Sequence, residues 1–282
     1  MEILSDRKTL VDFVQRNKEM GKKIGFAPTM GALHAGHLSL YAIAREENDL
    51  VISSIFVNPT QFNNQEDLVK YPRTIEKDIE LLRATNNVDA VYVPSVEDIY
   101  PNGAESKKYD FDGLEDEMEG SSRPGHFDGV GTVVEELFRQ VQPNNAYFGE
   151  KDFQQLQIIK KLVEKTKLPI KIHGVSIVRE ESGLALSSRN QRLTPEGKNS
   201  AKVIYKVLQD VKEWIKSETI GDIKNKVTEI FDEIPGYELE YFLIADEKTL
   251  KESEVIEDGK TYRAFIVVHV DHVRLIDNLR VI

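Results

Sequence analysis

The chain has 282 residues, of which 40% are hydrophobic and 30% charged; its formal net charge is −11 and it contains no cysteine. Disulfides and thiolate metal sites are therefore excluded, and no apolar run approaches the roughly 20 residues needed to cross a bilayer. A general nucleic-acid partner is disfavoured, because a reader of the phosphate backbone needs a basic face; a local basic pocket for a small anion remains open.

The start, Met1-Glu2-Ile3-Leu4-Ser5-Asp6-Arg7, has no basic segment leading into an apolar one, so a signal peptide is not expected and a cytoplasmic setting is. Asp6 to Met20 places Leu10, Val11, Phe13 and Val14 at the spacing of an amphipathic helix. Lys22 to Thr29 reads as a buried strand, and Leu38 to Glu47 as the crossover helix that follows it. Leu50 to Val57 is a continuous apolar strand of the kind found inside parallel sheets, ending in the loop Asn58-Pro59-Thr60-Gln61-Phe62. Arg73 to Ala84 is helical by period, and Ala90 to Val93 is a third strand. This alternation predicts an open, mostly parallel α/β sheet, Rossmann-like, whose ligands bind beyond the carboxyl ends of the strands.

At the first of those ends stands Gly25-Phe26-Ala27-Pro28-Thr29-Met30-Gly31-Ala32-Leu33-His34-Ala35-Gly36-His37-Leu38. Two histidines three residues apart at a helix start, beside its free backbone N–H groups, point to a nucleotide phosphate site. Pro101 to Gly120 is acidic and glycine-dotted and reads as a solvated, mobile surface loop. Arg123 and His126 are either surface residues or face an anion; a helix is expected from about Thr132 to Val141. Gly129 and Gly131 lack the third glycine of a dinucleotide fingerprint. Asn145 to Phe148 is a strand feeding Gly149-Glu150-Lys151-Asp152, where Lys151 suits a phosphate, and Phe153 to Lys165 is the next helix. Gln155 in its first turn and Gln61 either hold a hydroxylated acid or are ordinary polar surface.

Ile170 to Arg179 reads as a strand, followed by a turn at Glu181-Ser182-Gly183. Ser187-Ser188-Arg189 then suits either a helix cap or a clamp over phosphate oxygens. From Thr194 the pattern changes: a helix from Pro195 to Lys216, another from Ile220 to Ile234, and strands at Leu239–Ala245, Tyr262–Val270 and Val273–Asp277. Two domains are expected, residues 1–176 and a smaller α+β domain, 177–282, closing over the site. His34 and His37 have no neighbouring Asp or Glu to complete a metal centre, and no His-Glu-x-x-His pattern occurs, so no metal ligands are assigned. A magnesium ion carried mainly by phosphates needs few protein ligands.

His34-Ala35-Gly36-His37 resembles the His-x-Gly-His signature of the nucleotidylyltransferase superfamily, which includes the class I aminoacyl-tRNA synthetases. A larger set looks like the pantothenate synthetase (pantoate–β-alanine ligase) family: Pro28 to His37, Phe56 to Phe62, Tyr71-Pro72-Arg73-Thr74, Phe148 to Asp152 with Gln154-Gln155, and Leu186-Ser187-Ser188-Arg189-Asn190. These follow in order over nearly the whole chain. The family commonly has Met where Leu186 stands, a mild change if that position offers only backbone to the adenine. The resemblance implies ATP-dependent joining of pantoate to β-alanine through a pantoyl-adenylate, releasing AMP and pyrophosphate. It implies His37, His34, Lys151 and Arg189 as catalytic residues. ATP would lie along Met30, Gly31, Ala32, Leu33, His34, Ala35, Gly36 and His37, and along Gly149, Glu150, Lys151, Asp152, Val178, Leu186, Ser187, Ser188 and Arg189. Gln61 would serve pantoate and β-alanine, and Gln155 pantoate; Tyr71, Asp78 and Arg123 match further positions. The partners implied are these small molecules and a second copy of the chain in a homodimer. An adenylyltransferase that keeps AMP on its product is the alternative.

Overall fold

The computed structural model describes residues 1–62 and 65–282. They form two compact units, Met1–Glu150 with Gln154–Ser176, and Lys151–Phe153 with Ile177–Ile282.

In chain order the first part contains β1 (Glu2–Leu4), α1 (Arg7–Glu19), β2 (Ile24–Thr29), α2 (Ala35–Glu47), β3 (Leu50–Ile55), α3 (Gln65–Lys70), α4 (Ile75–Thr85), β4 (Ala90–Tyr92), α5 (Val96–Ile99), α6 (Met118–Ser122), α7 (His126–Val141), β5 (Asn145–Gly149), α8 (Phe153–Thr166) and β6 (Lys171–Val175). All the strand pairs are parallel, in the order β1-β4-β3-β2-β5-β6. The order reverses between β2 and β5, so the carboxyl ends of those two strands flank the switch point where ligands of such sheets bind. Pro28 is tolerated in β2 because the ladder to β5 stops at Phe26; the carbonyl of the next residue, Thr29, faces β3 and accepts from Phe56 N–H, which turns Pro28 the other way, where no donor is needed.

Alternation along the strands divides the core. Ala27, Val51, Val91, Tyr147 and Val175 pack on Leu40, Tyr41 and Ala44 of α2 and on Leu82 of α4. On the opposite face, Phe138 of α7 meets the rings of Phe26 and Phe148 edge-on, each at 6.3 Å. Each large side chain buried this way contributes roughly 1.5–3 kcal/mol.

The second unit contains α9 (Pro195–Ser200), α10 (Lys202–Trp214), α11 (Ile220–Asp232), β7 (Tyr237–Asp246), β8 (Tyr262–Val270) and β9 (Val273–Arg280), with the strands antiparallel in the order β7-β8-β9. Ile204, Val207, Leu208 and Val211, one stripe of α10, pack with Ile244, Ala264, Ile266 and Val268 of the sheet.

Four local expectations are corrected. Pro101 to Gly120 is solvated only in its first half: residues 101–110 are mostly exposed, whereas Phe111 and Leu114 are buried and the segment is tied to α7. Lys107 Nζ and Tyr109 OH donate to Glu135 at 3.0 and 2.6 Å, and Tyr109 N–H donates to Asp128 at 3.0 Å. Burial alone would raise the Glu135 carboxyl, but hydrogen bonds from Tyr109, Arg139 and Lys107 hold it down at about 2. α7 starts at His126 rather than Thr132, because Gly125 (φ +79°) turns the chain and Gly129 serves close packing instead of breaking the helix. The helix expected over 195–216 is interrupted at Ala201, where Ile204 N–H bonds the Ala201 carbonyl in a tight three-residue turn. The strand expected over 170–179 ends at Val175; beyond it Arg179 pairs locally with Ala185.

Candidate active site

The segment after β2 turns through two left-handed residues, Gly31 (φ +84°) and Ala32 (φ +51°). The fully buried carboxylate of Asp78, in the first turn of α4, fixes that turn: Oδ2 accepts from Ala32 N–H at 2.9 Å and from the Thr74 hydroxyl at 3.1 Å, and Oδ1 accepts from Leu33 N–H at 2.8 Å. A Cβ at Gly31 would stand 3.0 Å from Asp78 Oδ2 and 3.1 Å from Ile55, so bulk is excluded there as well as by φ. Asp78 matched only a secondary position in the sequence; in the structure it anchors this loop.

His34 is the N-cap of α2. Its Nδ1 accepts from Gly36 N–H at 3.2 Å, and His37 Nδ1 accepts in turn from His34 N–H at 3.3 Å. The two rings lie 4.1 Å apart, tilted. The expectation of free amides at this helix start is corrected at His34 and Gly36, whose N–H groups meet the imidazoles, while those of Ala32 and Leu33 just before it point at Asp78. The same capping fixes ring chemistry, since a neutral imidazole that accepts at Nδ1 carries its proton on Nε2.

At the end of β3, Pro59–Gln61 forms a single 3₁₀ turn capped by Asn58. Asn58 is buried; its Oδ1 accepts from Tyr100 OH at 2.6 Å, and its Nδ2 donates to Gln61 Oε1 at 3.2 Å and to the Gly129 carbonyl at 3.1 Å. Gln61 Nε2 donates to Met30 Sδ at 2.9 Å, and the Gln61 carbonyl lies 3.3 Å from Arg123 Nη2 and 2.9 Å from His126 Nδ1. Met30, Gln61, Arg123 and His126 are thus brought together. A Cβ at Gly129 would lie 2.5 Å from the Thr60 carbonyl oxygen, which shows how closely α7 supports this turn. Tyr71 meets Phe62 edge-on at 5.7 Å. Gln155 is half-buried in α8, whereas its neighbour Gln154 is buried and donates to the Leu114 and Glu117 carbonyls at 2.8 and 2.7 Å. A Cβ at Gly149, at the end of β5, would meet nothing within 4 Å.

Within the second unit, Lys151, Ser187, Arg189, Asn190, Arg274 and Asp277 line one narrow cavity. Leu186 N–H donates to the Val178 carbonyl at 3.0 Å, so Leu186 offers its carbonyl, not its amide, to any ligand. Ser187 Oγ accepts from Arg189 N–H at 3.2 Å and Asn190 Nδ2 donates to the Ala185 carbonyl at 3.0 Å; Ser188 and the exposed Arg189 follow in the short turn Ser188–Arg192. The supports of this group were missed by sequence reasoning. Arg179 grips Asp277 at 2.6 and 2.9 Å and lies 3.7 Å above the Tyr205 ring. The one signal was a pair of adjacent polar residues, Asp277-Asn278, breaking the alternation of β9.

A family model for pantoate–β-alanine ligase matches residues 2–280. The chain belongs to that family. The pantothenate synthetase of Flavobacterium psychrophilum is 52% identical over 92% of each chain, and that of Christiangramia forsetii 50% over 99% of each. Among solved structures, pantothenate synthetase from Thermus thermophilus superposes with a TM-score of 0.90 at 39% identity, covering 100% of this chain and 99% of its own. The pantoate–β-alanine ligase of Francisella tularensis, described as a complex with β,γ-ATP and β-alanine, gives 0.81 at 39% identity over 100% and 98%. This is a ligase, then, and the alternative of an adenylyltransferase retaining AMP on its product is not favoured. Among the described residues no helix is long and apolar enough to cross a membrane.

Proposed function

We propose that this ligase activates pantoate with ATP and passes the acyl group to β-alanine. A carboxylate oxygen of pantoate attacks the α-phosphorus and pyrophosphate leaves; the β-alanine amine then attacks the acyl carbon of pantoyl-adenylate, and AMP leaves as the amide forms. The observation that carries the reading is the His34–His37 pair with both Nδ1 atoms tied to backbone amides. That tautomer presents Nε2–H as a preorganised donor, suited to charge building on the α-phosphate and the departing pyrophosphate. His37 is the hydrogen-bond donor to the departing pyrophosphate in this reading, and His34 the second phosphate contact.

The residue roles rest on the family motifs. Lys151 and Arg189 neutralise phosphate charge; Ser187 and Ser188 hold phosphate oxygens; Met30 to His37, Gly149 to Asp152, Val178 and Leu186 line the nucleotide. Gln61 holds pantoate and then β-alanine, and Gln155 holds pantoate. Gln61 is already oriented by Asn58 and Met30, which supports a binding role over ordinary surface polarity. Magnesium enters with the phosphates; among the described residues no three His, Asp or Glu side chains cluster to hold an ion, so the nucleotide would supply most of its ligands. A cytoplasmic homodimer completes the proposal, and sedimentation would give a dimer mass.

The test is product formation with each substrate omitted in turn. Pantothenate, AMP and pyrophosphate are expected in equal amounts, only when pantoate, β-alanine and ATP are all present. Release of ADP, or a product that retains AMP, would overturn the reading.

A further inference from the structure

Two adjacent residues of β9 reach to opposite sides of the second unit's sheet. Asp277, on one side, makes the two-pronged contact with Arg179, and Arg179 also donates to the Gly183 carbonyl at 3.1 Å. Asn278, on the other, donates from Nδ2 to the Lys151 carbonyl at 2.8 Å. The side chain of Asn278 is buried and is itself held: its Oδ1 accepts from Arg263 Nη1 at 2.5 Å. Arg263 is buried in turn, donating to Glu247 at 2.8 Å and lying 4.0 Å above the Phe153 ring. A buried chain of contacts therefore runs from Glu247 through Arg263 and Asn278 to the backbone of Lys151.

We infer that Asn278 is a positioning residue for Lys151, setting where its ammonium stands while charge develops on the phosphates. The inference rests on the role given to Lys151 in the ligase reading. Burial favours it: satisfying one carbonyl with a fixed, desolvated amide leaves Lys151 no alternative backbone position without stranding polar groups. Substituting Asn278→Asp isolates the effect. The carboxylate keeps an acceptor for Arg263 but sets an oxygen against the Lys151 carbonyl, so the donor is lost while the Arg263 contact stays.

The experiment measures pantoate-dependent exchange of labelled pyrophosphate into ATP, with melting temperature recorded alongside, for the unsubstituted enzyme, N278D, K151A and the double variant. N278D is expected to lower kcat of exchange about 10²-fold, the scale of a misplacement near 1 Å, with KM for pantoate unchanged and melting preserved. In the K151A background the same change is expected to add no further loss. If N278D melts early, N278A is carried through the same cycle. Unchanged kcat in a folded variant, or an equal loss with and without Lys151, would overturn the inference alone. Absence of exchange in the unsubstituted enzyme would overturn the ligase reading, and the inference with it.

Discussion

The two segments to which ATP contacts are assigned are fastened by different parts of the chain. His34 and His37 cap one another's helix start within four residues, with Asp78 bracing the turn before them. The segment carrying Ser187 to Asn190 is fixed instead by Arg179 to Asp277, almost a hundred residues on, and Lys151 by Asn278, further still. A capped loop can keep its geometry when a distant contact fails. A segment pinned by a buried ion pair cannot, because the uncompensated charge stays behind. The difference separates chemistry from stability: removal of a histidine should harm turnover more than folding, and removal of the Asp277 carboxylate should harm both.

The largest expected effect breaks the local half. His37→Ala should lower kcat by about 10²–10³-fold, the range for one lost preorganised donor, while costing only about 1 kcal/mol of stability through the lost cap; steady-state kinetics and denaturant melts check both. Asp277→Ala, at the other half, should destabilise the protein by about 1–3 kcal/mol, because half-buried Arg179 loses its charged partner while keeping the Gly183 and Asn278 carbonyls, read as a fall in the denaturation midpoint. Gly129→Ala should cost about 1–3 kcal/mol from the clash with the Thr60 carbonyl and raise KM for pantoate by displacing Gln61, which kinetics at saturating ATP would report. The smallest effect sharpens the frame outside both segments. The folded Glu135 carboxyl sits at about 2 against an ordinary 4.5, so its contribution is fully present above about pH 4.5 and lost as pH falls through about 2. Wild type and Glu135→Gln should therefore differ in melting temperature at neutral pH and converge in acid.

That contrast also explains what the sequence could reveal. The parallel sheet was legible from its alternating apolar strands and helical stripes, and the histidine pair from its place after β2, because those signals are local. The β9 supports were not, since their meaning comes from pairing distant residues: Asp277 reads as the last residue of a strand and Asn278 as the one after it until Arg179 and Lys151 are set beside them. Glycine misled at 129, where a helix-breaking residue admits a carbonyl at close range. Acidic composition misled over 111–120, because that half buries Phe111 and Leu114, while Tyr109 just before it bonds Glu135 and Asp128 of α7. Asp78 matched a further family position without a role, which comes from its two oxygens on the Ala32 and Leu33 amides.

The measurement that bears most directly on the proposed chemistry follows oxygen. With pantoate labelled by ¹⁸O in its carboxylate, ATP and β-alanine, an acyl-adenylate route transfers one labelled oxygen to AMP, and the pantothenate amide keeps the other. Label found in AMP is the predicted result. AMP without label, with ¹⁸O confined to pantothenate, water or pyrophosphate, would contradict it.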